Sequence, residues 1–118
     1  MANERSDEVV VLSSGNVFAD LGLKNPEEKQ TKVRLAVAIN EILRQRRLSQ
    51  VAAARLLRIN QPKISALANY RLEGFSAERL MHFLNALDRD VEITIRRKPR
   101  SSRPARIVVR DAQLSGTI

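Results

Sequence analysis

The sequence predicts a mainly α fold, a bundle of four to five short helices with a short C-terminal β-strand and flexible tails. Three observations lead there. Apolar residues recur at helical spacing in separate stretches along the chain, and polar cap residues stand in front of several of them. A two-residue alternation, "DVEITIRR", follows only after the last of these stretches. Hydrophobic residues make up 43% of the chain but aromatic ones only 3%, so the core must be built from Leu, Ile, Val and Ala.

At 118 residues the chain has room for one compact domain with flanking segments. The expected divisions are an N-terminal arm over 1–24, the domain over 25–96 and a basic C-terminal tail over 97–118. The arm contains a β-like run, Val9 to Leu12, and then Gly15, Gly22 and Pro26 punctuate the chain. The arm reads as an ordered extension or a short helix outside the core.

The first long helix starts at "NPEE", where Asn25 can cap, Pro26 suits the first helical position and Glu27 and Glu28 face the positive end of the dipole. Leu35, Ala38, Ile39 and Ile42 form its apolar stripe, widened by Leu43, and Arg44, Arg46 and Arg47 close it. Those arginines suit a helix C-terminus as readily as they suit a phosphate. Ser49 caps a second helix running to about Leu57, and Asn60 or Gln61 opens a third from Pro62 to about Asn69. "NYRLEGF" is a loop. Ser76 caps a further helix in which Leu80, Phe83, Leu84 and Leu87 face the core. In "DVEITIRR", Val91, Ile93 and Ile95 alternate with polar residues, as in a half-buried strand. Its partner is Val9 to Leu12, the C-terminal run "ARIVVRD" or the same strand of a second subunit.

The formal charge is +8 and is unevenly distributed. Residues 1–24 carry two bases and four acids, Glu41 to Arg71 seven bases and one acid, and Arg96 to Arg110 seven bases and no acid. Clusters of this kind are the footprint of a surface that meets phosphates, although a solvated face, anionic lipid or an acidic protein would also account for them. There is no cysteine, which excludes disulfides and thiolate metal sites, and no apolar run approaches the roughly 20 residues that span a bilayer. "MANERSDEVVVLSSG" lacks the basic start and long apolar stretch of a signal peptide. A reduced, cytoplasmic protein with no membrane segment is expected. His82, the one histidine, reads as a packing or surface residue, and no serine has a base beside it in the sequence. With no phosphate-cradling glycine loop either, the expectation is a non-enzyme that needs no cofactor and no metal.

The informative stretch is "LSQVAAARLLRINQPKISAL". Ala54 offers a small residue where two short helices cross, and Leu57, Ile59, Ile64 and Leu67 supply the seam, with Ala68 also expected on the core side. With Gln50, Gln61 and Ser65 these positions have the spacing of a helix-turn-helix unit. In such a unit the second helix enters the major groove N-terminus first, so Gln61, Pro62, Lys63, Ser65 and Ala66 would face base edges. Gln bonds adenine in two places, Lys reaches guanine or phosphate, and small side chains touch a thymine methyl. Gln50 can bond a phosphate and buttress Gln61. Asn60, Asn69, Arg58 and Arg71 complete the candidate DNA-binding set, and Tyr70 is a further phosphate candidate.

This stretch resembles the helix-turn-helix of the Xre and Cro/C1-repressor class. With "SGNVFADLGL", the helix from Pro26 and "GFSAERLMHFLNALDRDVEITI", the resemblance extends over roughly Ser14 to Ile95, to small regulators related to HigA-type antitoxins. It implies a lambda-repressor-like fold and a homodimer that binds double-stranded operator DNA, often made beside a RelE/HigB-like mRNA-cleaving toxin that it neutralises. Many members of the class are plain repressors. A module that binds an acidic protein through its basic tail is the alternative from another functional class. One position departs from the class pattern: the turn residue after Leu57, usually a Gly with positive φ, is Arg58. In that conformation a non-Gly residue costs on the order of 1 kcal/mol.

Overall fold

A computed structural model describes residues 25–112. Four helices lie in this range: α1 (Asn25–Gln45), α2 (Gln50–Leu57), α3 (Gln61–Ala68) and α4 (Ala77–Ala86). The N-terminal arm, with the run Val9 to Leu12 and any fifth helix, falls outside the described residues.

Three of the four helices begin with a side chain accepting a hydrogen bond from their first turn, which satisfies a backbone donor that has no partner inside the helix. Ser49 accepts from the Ala52 amide, Asn60 from Lys63 and Ser76 from Arg79. The helices also end alike. Arg47, Arg58, Tyr70 and Asp88 all take positive φ, between 55° and 63°, just beyond α1, α2, α3 and α4. The following amide reaches back five residues in each case: Leu48 to the Leu43 carbonyl, Ile59 to Ala54, Arg71 to Ala66 and Arg89 to Leu84. Together with the three-residue bonds Arg47 to Arg44, Arg58 to Arg55, Tyr70 to Leu67 and Asp88 to Asn85, these are four Schellman closures, none of which uses glycine. The closures end each helix sharply, and α2 and α3 are joined by only three residues, 58–60.

The core is aliphatic. Leu35, Ala38, Ile39 and Ile42 of α1 are buried against Leu80, Phe83, Leu84 and Leu87 at the other end of the chain's helical region. Ala53, Ala54 and Leu57 of α2 meet Ile64 and Leu67 of α3 below them. Leu43, Leu48 and Ile59 close the edges of this cluster. Phe75 and Phe83 pack edge to face with their centroids 5.8 Å apart. Two polar ties cross between helices: Asn40 Nδ2 donates to the Leu67 carbonyl at 3.1 Å, and Arg46 Nη2 donates to Leu87 at 2.8 Å. Arg46 is therefore a structural residue that meets the unpaired carbonyls at the end of α4.

One expectation is corrected, and one finds no support among the described residues. Ala68, expected on the core side, is exposed: Ile64 and Leu67 are the buried residues of α3, Ala66 packs half-buried beside the core, and Ala68 at the helix's last position lies off that face. The C-terminal strand is not seen among the described residues: none of them lies in a strand, and Val91 to Lys98 makes no backbone–backbone hydrogen bond to another described residue. Alternation specifies which side chains share a face, but a strand exists only when a neighbour completes its ladder. The run Ala105 to Arg110 does not serve as that neighbour. No helix among the described residues is long and apolar enough to cross a membrane.

Candidate nucleic-acid interface

The candidate surface is built on α2, the turn and α3. Arg58 sits at φ 59°, ψ 44°, the left-handed conformation expected where this turn normally carries glycine. Its amide and that of Ile59 close α2, while Ile59 turns its side chain toward the core. Asn60 is already extended, at φ −81° and ψ 168°, and starts α3 with its own side chain. Only Arg58 and Ile59 separate the last residue of α2 from the cap of α3. The angle between the helices is then held by the buried set Ala54, Leu57, Ile64 and Leu67.

This packing leaves the head of α3 outside. Asn60, Gln61 and Pro62 are exposed in sequence, and Arg58 is exposed immediately before them. A helix N-terminus projecting from a rigid pair, with polar side chains and no acid in its first turn, has the shape and charge of a groove-reading element. Among the described residues of the α2–α3 unit there is no acidic side chain to oppose an approaching phosphate. The flanking acids along the chain are Glu73, exposed in the loop after α3, and Glu41 on α1, which bonds Arg44. That guanidinium holds the Glu41 carboxyl below the usual carboxylate range, so it stays ionised and engaged.

A model of the family described as a helix-turn-helix domain matches residues 17–96. The chain belongs to this helix-turn-helix family. A solved structure provisionally described as an XRE family transcriptional regulator is similar to it, at 64% sequence identity and a TM-score of 0.72, over 75% of this chain and 99% of that one. No curated protein matches the chain.

Within the helix-turn-helix domain the sequence-predicted site residues divide into two groups. Gln50, Arg58, Asn60, Gln61, Pro62, Asn69 and Arg71 are exposed, and they come from the start of α2, the turn, and the head and end of α3. Lys63, Ser65 and Ala66 are half-buried. Ala66 packs against the core and its carbonyl accepts from Arg71, so it serves the closure of α3 as well as its surface. Lys63 is tethered: its ammonium lies 5.2 Å from the centroid of Phe75 and 3.4 Å from the Gly74 carbonyl. Asn69 donates its side-chain amide to the Ser65 carbonyl at 2.8 Å, which occupies one face of that amide. No hydrogen bond joins Gln50 to Gln61.

The sequence reading missed the Lys63–Phe75 contact. "NYRLEGF" places Phe75 twelve residues after Lys63, and nothing in periodicity links a loop aromatic to a helix lysine. It also left Arg46 divided between helix end and phosphate, and its bond to Leu87 assigns it to the fold. His82 is exposed on α4, with Nε2 3.7 Å from Glu78, away from the core.

Proposed function

We propose that the protein is a sequence-specific DNA-binding transcriptional repressor that reads its operator with the head of α3. The observation that carries this reading is the exposed run Asn60–Gln61–Pro62, fixed by the Asn60 cap and flanked by Arg58, in a chain of the helix-turn-helix family. Gln61 is the base-reading residue, with two bonds to an adenine edge. Arg58 and Arg71 contact phosphates and set register, as does the amide of Gln50 at the start of α2. Lys63, already engaged with Phe75, contributes less to binding than its charge suggests. The active species is a homodimer on a palindromic operator, with recognition helices about 34–36 Å apart.

The finer reading is that this repressor is the antitoxin of a type II toxin–antitoxin pair, represses its own operon and neutralises a RelE/HigB-like mRNA-cleaving toxin. The family resemblance supports it. Co-expression with the neighbouring reading frame tests it: a stable complex that restores growth is expected, and a neighbour that neither binds nor harms the cell leaves a stand-alone repressor.

The DNA-reading step is tested by selecting operators from a random library and measuring Gln61→Ala on the best one. The expected loss is about 1–3 kcal/mol per subunit, with relaxed preference at one base pair in each half-site. Unchanged affinity and preference would refute readout by α3. If neutralising the basic tail abolished binding while Gln61→Ala did nothing, the protein would be a module recognising acidic surfaces through that tail.

A further inference from the structure

The segment after α4 leaves the bundle at Val91, which still packs against the core, and then exposes large β-branched side chains. Ile93 is 50% exposed and Ile95 74%, the latter a high value for an isoleucine in a folded protein. These residues alternate with Glu92, Thr94 and Arg96, and among the described residues no backbone group bonds one from Val91 to Lys98. The segment thus has the side-chain pattern of a strand and an open ladder.

Its charges say which partner fits. Asp90 and Glu92 stand at one end, and Arg96, Arg97 and Lys98 at the other. Laid parallel on a copy of itself, the segment would set acid against acid and base against base. Laid antiparallel, it sets acids against bases, and the same symmetry serves a two-fold dimer.

We propose that residues 90–96 form an antiparallel two-stranded ribbon with the same residues of a second copy, with the two-fold axis at Ile93. In this register Val91 stands opposite the partner's Ile95, Ile93 opposite the partner's Ile93 and Asp90 opposite the partner's Arg96. All apolar residues of the run share one face, and both charged pairs are complementary. A shift of one residue on one strand would set apolar side chains opposite polar ones. A register centred on Thr94 would strand Val91 against Arg97. Because Val91 lies on its own bundle, the partner's Ile95 beside it is brought to that bundle's edge, which gives the ribbon the packing that two strands need to persist in water. The inference rests on the dimeric part of the reading above, and its test measures assembly independently of DNA.

The chain has no cysteine, so an introduced thiol reports on its own position. The experiment uses the full chain, with sedimentation velocity for assembly and oxidative cross-linking of Ile93→Cys and Thr94→Cys. The expected results are a wild-type dimer, a cross-linked dimer for Ile93→Cys and none for Thr94→Cys. Ile93→Asp weakens self-association on the order of tenfold or more, with an unchanged circular-dichroism spectrum because Ile93 is outside the core. An Ile93→Asp protein that still sediments as the wild-type dimer, or cross-linking at Thr94 in place of Ile93, would overturn the ribbon while leaving the dimer standing. A monomeric wild type would overturn the ribbon and the dimeric reading together.

Discussion

The Arg46 guanidinium donates to the Leu87 carbonyl at 2.8 Å, joining the C-terminal end of α1 to that of α4. Asp88 lies 3.9 Å from the same guanidinium but its side chain is almost fully exposed, so it adds little. Arg46→Ala is expected to destabilise the protein by about 1 kcal/mol, while Asp88→Asn changes stability by less than about 0.5 kcal/mol. Urea unfolding of both variants checks this. Operator affinity measured well below the unfolding midpoint should be unchanged for either.

Arg58 holds a left-handed conformation that a β-carbon disfavours. Arg58→Gly is expected to stabilise by about 1 kcal/mol, or roughly 4–8 °C in Tm for a domain of this size. The same substitution removes one proposed phosphate contact per subunit, so for the dimer the slope of log affinity against log salt should fall by about 1.8. A gain in Tm without a change in slope would show that Arg58 serves only the turn.

Asn60 and Ser76 cap α3 and α4 in the same way, with bonds of 2.9 and 3.0 Å. Asn60→Ala and Ser76→Ala should each cost about 1 kcal/mol in thermal or urea unfolding. Their effects on DNA should differ. Fraying the head of α3 displaces Gln61, so Asn60→Ala lowers operator affinity beyond its stability cost, whereas Ser76→Ala does not.

Leu80 is fully buried between α4 and α1, whereas Val37, on the outer side of α1, is 41% exposed. Leu80→Ala is expected to cost about 2–5 kcal/mol, and Val37→Ala less than about 0.5 kcal/mol. Denaturant midpoints of the two variants, compared at equal m-value, decide whether the core is distributed as described.

The recognition unit was legible because its determinants are local. Ser49, Asn60 and Ser76 act on amides three residues away, and the stripes of α1 and α4 follow from the helical period. The strained Arg58 was anticipated from the resemblance, because the class places a positive-φ residue at this turn position. Ala68 was misplaced by extending the helical period to the last residue of a two-turn helix, which lies off its inner face.

What the sequence determined by itself is therefore the four described helices, the caps of α2, α3 and α4, most of the core-facing stripes and the polar head of α3, all set by patterns spanning about four residues, whereas Asn25, expected as a cap, is the first residue of α1. Only the tertiary structure decided the roles of Arg46 and Lys63, since their partners, Leu87 and Phe75, lie 41 and twelve residues away and chain folding alone brings them together. It also showed that Val91 to Arg96 pairs as a strand with no other described segment. Alternation can orient side chains, but the hydrogen bonds that make a strand belong to two segments, and the second is not supplied among the described residues.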